Sequence, residues 1–228
     1  MVQENTKEGY ALKVRVKFAK EGAMKFIGHL DIMRYFQKAV KRANLDVAFS
    51  EGFSPHMIMS FASPLGVGIT STGEYFDMEL KSATTSSDMV KRLNDAMAEG
   101  MKILSIRQVE DGKASKAMSL VAAADYRLKF RETAKLPENW KEKLEEFKAQ
   151  KEIVILKKTK KSEKELDIRP FIYKLSLEEK DEIFMQLAAG SSNNTKPELV
   201  MEAFAAFMEI PYENLKFMIH RCELYADT

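Results

Sequence analysis

Apolar and basic residues alternate near the start of the chain: Leu12, Val14, Val16 and Phe18 are interleaved with Lys13, Arg15 and Lys17. A period of two marks a half-buried strand, here with a basic outer face. The period then lengthens. From about His29, the residues Leu30, Met33, Phe36, Val40 and Ala43 follow the spacing of a helix with one core-facing stripe, while Arg34, Lys38, Lys41 and Arg42 fall opposite. Residues 46–50 read as a short strand, and 56–61 as its continuation or as a separate strand. Residues 74–80 alternate once more. Ser86 or Ser87 caps a helix whose stripe is Met89, Val90, Leu93, Ala96 and Met97, Gly100 closes it, and 101–109 form a strand.

That order, β-α-β-β-α-β within about a hundred residues, predicts the ferredoxin-like arrangement: an antiparallel sheet with two helices on one face. A second cycle follows. Residues 126–130 alternate as a strand, and Trp140, Leu144 and Phe147 form a helical stripe. Residues 152–156 and 182–188 read as strands. A capping box at Thr195-Lys-Pro-Glu198 opens a helix with Val200, Phe204 and Phe207 inward, and 216–224 close as a strand. The segment 157–177 reads as an insertion, and the alanine-rich stretch 116–124 as a short helix. The predicted fold class is therefore α+β: two tandem ferredoxin-like (βαββαβ) domains at 1–112 and 123–228, joined by a linker at about 113–122.

Composition narrows the function classes. With 45% hydrophobic and 31% charged residues, the chain of 228 is an ordinary globular sequence with enough apolar material for two cores. No apolar run approaches the ~20 residues of a membrane span, and the polar start has no signal-peptide character, so no membrane and a cytoplasmic location are expected. One cysteine, Cys222, suits a reducing compartment and cannot hold an iron–sulfur cluster by itself; no cofactor is expected.

The net charge of +2 hides an uneven distribution. Lys7 to Arg42 carries ten Lys/Arg against three acids, a net of +7. Lys157, Lys158, Lys160 and Lys161 form a second basic cluster. Clusters of this kind favour a polyanionic partner, although charge runs are equally often solvated faces. RNA is the candidate partner, with Lys25, Arg34, Lys38, Lys41, Arg42, Phe53 and Arg169 completing the candidate contact set. Arg169 and Arg221 either contact phosphate or pair with acids at a domain interface.

Candidate chemistry concentrates in Lys25-Phe-Ile-Gly-His-Leu-Asp31 and Ser50-Glu-Gly-Phe-Ser-Pro-His56. His29 at a helix start is biased towards the neutral ring, as a general base or metal ligand requires. If the second segment folds against the first, His29 and His56 become a catalytic pair, and His29, Asp31, Glu51 and His56 a candidate metal set. The competing reading makes His29 a cap and His56 a backbone-bonded loop residue. Phe53, between Gly52 and Pro55, either stacks on a base or anchors the loop; burial is the expectation. No dinucleotide, Walker or nucleophile-elbow pattern is present.

Those two motifs, with Pro64-Leu-Gly66, Gly73-Glu-Tyr-Phe-Asp77, Asp167-Ile-Arg-Pro170 and His220-Arg221, make the chain resemble the uncharacterised radical-SAM-linked protein family, found alone or fused behind a radical SAM enzyme. The resemblance implies a bacterial cytosolic protein working beside a radical SAM enzyme. The chain lacks that enzyme's three-cysteine motif. Its architecture also resembles, by fold-level analogy only, the RAMP-type CRISPR RNA-processing proteins. The expected function is a non-catalytic RNA-binding or substrate-presenting accessory protein; the alternative is a metal-independent endoribonuclease or hydrolase using His29 and His56.

Overall fold

The structure is a computed structural model describing residues 12–109, 121–158, 163–190 and 193–226. The chain divides into two compact units, Met1–Val121 and Ala122–Thr228. The expected linker lies almost entirely outside the described residues, as do Lys160 and Lys161.

The first unit runs β1 (Leu12–Lys20), α1 (His29–Arg42), β2 (Met59–Phe61), β3 (Thr70–Leu80), α2 (Ser86–Asp95) and β4 (Met101–Gln108). Its strands lie in the order β4-β1-β3-β2, each neighbouring pair antiparallel. Even-numbered positions of β1 and β3 turn to one face, where Val14, Val16, Phe18, Phe76, Met78 and Leu80 join the core under the helices. On the other face the register sets Lys13 opposite Glu79, Arg15 opposite Asp77 and Lys17 opposite Tyr75. Arg15 Nε and Nη2 donate to the two Asp77 oxygens at 2.8 and 3.0 Å, and Lys17 Nζ stands 5.5 Å from the Tyr75 ring centroid. The basic face of β1 is thus matched by β3 rather than offered to a polyanion.

The core stripe of α1 keeps Phe36, Val40 and Ala43 of the anticipated set, with Met33 packed against it, but takes Ile32 and Ala39 in place of Leu30. Leu30 lies two residues before Ile32, about 200° around the helix, and is 68% exposed. Phe36 anchors an aromatic cluster, with ring centroids 4.6 Å from Phe18, 4.7 Å from Phe76 and 5.7 Å from Phe61. The cap of α2 is Thr85, whose side chain accepts from Asp88 N, one residue before the serines. Arg92 then donates to the carbonyls of Ala43 and Asn44 past the end of α1, and Arg42 Nη2 donates to Ala96 O past the end of α2 at 2.9 Å. Cations at helix C-termini are favoured by dipole and carbonyls alike.

The second unit holds β5 (Val121–Phe130), α3 (Trp140–Lys148), β6 (Val154–Lys158), β7 (Glu163–Asp167), β8 (Ile172–Leu177), β9 (Glu182–Ala188), α4 (Pro197–Phe207) and β10 (Phe217–Ala226). Its main sheet has the order β10-β5-β9-β8, and β6 and β7 pair separately. The strand beside β9 is therefore 172–177, inside the stretch read as inserted, while 154–158 belongs to the hairpin. Asp167 explains the diversion. Its Oδ1 accepts from Ile153 N and from Arg169 N at 2.8 and 2.9 Å, closing the hairpin at its base. Arg169 Nε and Nη1 donate to Gln150 O and Ile172 O, both at 3.1 Å, and lock the entry to β8. The Asp-Ile-Arg-Pro motif is a junction.

Ala122–Ala124 are strand rather than helix, since pairing of Ala123 with Ala188 and Ala124 with Leu187 overrides alanine's local helix preference. Thr195 is buried and its N–H bonds to Ala188 O, leaving Lys196 as the cap of α4. Arg221 is buried as well, which removes it as a surface phosphate contact. No helix among the described residues is long and apolar enough to cross a membrane.

Candidate functional site

The chain leaves β1 through a 3-10 turn, Gly22–Phe26, and enters α1 at Gly28, the N-cap, with His29 as the first helical residue. His29 is thus not the cap. Its ring meets Phe61 edge-on at 5.6 Å and 90°. Beside it a cavity of about 10 Å³, the size of one water, is lined by Lys20, Ser63 and Glu74 on an aromatic wall of Phe18 and Phe61. Lys20 is 2% and Glu74 4% exposed. Lys20 Nζ donates to Ile27 O at 2.7 Å, tying the end of β1 to the turn that precedes His29.

Burial holds the His29 ring below its ordinary pKa; the Glu74 carboxylate opposes this and the Lys20 ammonium reinforces it. The imidazole is accordingly neutral at neutral pH. The linkage has a definite sign. Below about pH 6.5 the unfolded chain takes up a proton that the folded ring resists, so stability is full above that pH and is lost as pH falls towards the lowered folded value. Urea unfolding at neutral and mildly acidic pH is expected to show this loss in the wild type and a smaller one in His29→Gln. An equal loss in both would refute the assignment.

Lys20 and Glu74 were not among the candidates read from the sequence, yet a signal existed. Both carry the even parity of the inward residues on their strands, where a charged residue is exceptional. His56 lies elsewhere. It is exposed, its Nδ1 is 2.8 Å from Ser50 Oγ, its N–H donates to the same oxygen, and Ser50 N–H donates to His56 O at 2.9 Å. It does not line the His29 cavity. Glu51 is exposed, and Asp31 is exposed and paired with Arg34 at 3.2 Å. Among the described residues no three His, Cys, Asp or Glu side chains are grouped to hold a metal, so His29, Asp31, Glu51 and His56 do not form the anticipated set.

The Ser50–His56 bonds brace a small loop, in which Gly52 takes φ +102°. At its tip Phe53 is fully exposed instead of buried. Phe26 and Val67 are also exposed, and Gly68 N–H donates to Lys25 O at 2.8 Å, bringing their two loops together. Lys25 Nζ lies 5.1 Å from the Phe26 ring centroid. Lys38 and Lys41 are exposed on α1, whereas Arg42 and Arg169 already spend donors on backbone carbonyls. Lys157 and Lys158 end β6.

Comparison with solved structures finds a Cbf5-Nop10-Gar1 complex at 10% identity and TM-score 0.46, over 94% of this chain and 50% of that one, so the present chain spans about half its length. An unknown protein from Galdieria sulphuraria is similar at 13% identity and TM-score 0.28, over 96% and 100% of the two chains. No curated protein matches the sequence significantly. A family model described as "Uncharacterized protein conserved in bacteria (DUF2344)" matches residues 13–197, from the first basic residue of β1 to the first residue of α4. That span takes in the His29 cavity, the Phe53 loop and the Asp167 junction together, and the chain belongs to this family.

Proposed function

We propose that the protein is a non-catalytic accessory module that recognises RNA, or an RNA-borne substrate, on its first unit and works beside a radical SAM enzyme. The observation that carries the reading is Phe53, a fully exposed aromatic on a loop braced by three hydrogen bonds between Ser50 and His56. A large apolar side chain held out into water has no folding benefit, whereas a preset ring is a platform for an unpaired base. The exposed Lys38 and Lys41 supply cations without a mandatory partner. The strand orders β4-β1-β3-β2 and β10-β5-β9-β8, each with two helices in its unit, support reading both units as ferredoxin-like. The enzyme partner follows from the motif resemblance. The water-sized His29 cavity favours binding over hydrolysis.

Fluorescence anisotropy with a labelled single-stranded RNA tests this reading. With about four phosphate contacts, doubling the salt should weaken binding ~7-fold. Phe53→Ala should leave stability unchanged and cost about 5- to 150-fold in affinity at fixed salt, the value of one base–aromatic stack. Absence of binding at low salt, or wild-type affinity in Phe53→Ala, would remove the RNA version.

A further inference from the structure

A cavity in the second unit has no part in the reading above. It measures about 190 Å³ and lies between the end of α3 and the start of β8. Its floor is apolar and buried: Ile153, Ile172 and Leu175. Its charged lining is wholly cationic, Lys148, Arg169 and Lys174, with no carboxylate in the wall. Tyr173, also lining it, is 55% exposed.

Each cation stands differently. Arg169 is fixed by its Nε and Nη1 bonds to Gln150 O and Ile172 O, and its Nη2 has no hydrogen-bond partner among the described residues. A guanidinium immobilised in advance binds an oxyanion without the usual loss of rotamer freedom. Lys174 Nζ lies 4.9 Å from the Phe184 ring centroid, a contact that leaves its three donors available. Lys148 pairs with Glu145 at 2.6 Å, but both are exposed, and such a pair exchanges readily for a better anion.

We propose that this cavity binds a single nucleoside monophosphate unit, free or at the 5′ end of an RNA chain. The base lies on the aliphatic floor against Tyr173, and the phosphate sits on Arg169 Nη2 and the two lysines. The volume is below the ~300–1,000 Å³ of sites for drug-sized ligands, so the cavity encloses the base alone, and the ribose and phosphate lie at its rim. The site shares no residue with the Phe53 loop and does not depend on the proposed RNA platform there.

Isothermal titration calorimetry of the full chain with UMP, uridine, inorganic phosphate and a 5′-phosphorylated tetrauridine is the test. UMP or the oligonucleotide should bind, and the tighter of the two identifies the natural source. Uridine and phosphate should each bind at least about 10-fold more weakly, since each loses one half of the contact set. Tyr173 and Lys174 are exposed, so Tyr173→Ala and Lys174→Glu should fold normally and each lower affinity about 10-fold or more. Arg169→Lys keeps the charge but releases the junction and serves only as a supporting variant. Phosphate binding as tightly as UMP, or UMP affinity untouched in both exposed variants, would overturn the proposal. So would a lack of heat with every probe while the Phe53-dependent RNA binding persists.

Discussion

Lys20→Ala is expected to destabilise the protein by about 3–5 kcal/mol, read as a fall in the urea midpoint at unchanged slope. The lysine is buried where β1 ends, and its ammonium donates to Ile27 O. Glu74, equally buried, lines the same small cavity. Truncating Lys20 removes a donor from a backbone carbonyl and a nearby positive charge from a buried carboxylate, and the cost of the uncompensated buried charge dominates. The pair itself need not be stabilising. Lys20→Met combined with Glu74→Leu should therefore cost much less than the two single changes together, with a coupling of about 2 kcal/mol or more. A single-variant cost below ~1 kcal/mol would defeat the argument, because it would mean that Lys20 does not compensate a buried charge there. An NMR titration gives a second readout: loss of the ammonium should raise the His29 midpoint towards its ordinary value, since the Lys20 charge reinforces burial in holding it down.

What the sequence discloses of this site depends on how local the causes are. Alternation in β1 and β3 is a property of neighbouring residues, and it marks the strands, the helix-bearing face and, by parity, Lys20 and Glu74. The helix at His29–Arg42 is likewise evident, but its buried stripe is set by where the aromatic rings of Phe18, Phe61 and Phe76 stand. Spacing alone admits Leu30 or Ile32, and the cluster selects Ile32. His29 and His56 share a motif-rich stretch, yet the Ser50 hydroxyl captures the second imidazole before it can reach the first. Phe53 was expected inward because large apolar side chains usually are; the bonds that close its loop leave it outside. In the second unit, the strand that joins β9 was hidden because Asp167 and Arg169 redirect the chain through side-chain bonds to backbone, which no periodicity records. The Tyr173 cavity depends on that same junction, so neither could be read without the other.

Gly100→Ala is expected to cost about 2–6 kcal/mol, the sum of two effects of about 1–3 kcal/mol each. The first is conformational: Gly100 sits at φ +86°, a region that a Cβ disfavours. The second is steric. A Cβ there would stand 2.6 Å from Glu21 O and 3.0 Å from Met24 Cγ. The methionine can move, but the carbonyl cannot, because it accepts Met24 N–H at 3.1 Å within the 3-10 turn while Glu21 N–H donates to Gly100 O at 2.7 Å. The added methyl must push the turn away from β4, and that turn delivers Ile27 O to Lys20 and His29 to its cavity. Gly22→Ala separates the two effects. Gly22 also has positive φ, +54°, but nothing lies within 4 Å of its Cβ position, so only the conformational part of about 1 kcal/mol is expected. Urea unfolding of both variants is the measurement. Equal losses would show that backbone conformation alone accounts for Gly100. A larger loss at Gly100, accompanied by an altered His29 ring resonance in Gly100→Ala but not in Gly22→Ala, would establish that the start of β4 supports the buried lysine and histidine through one carbonyl contact.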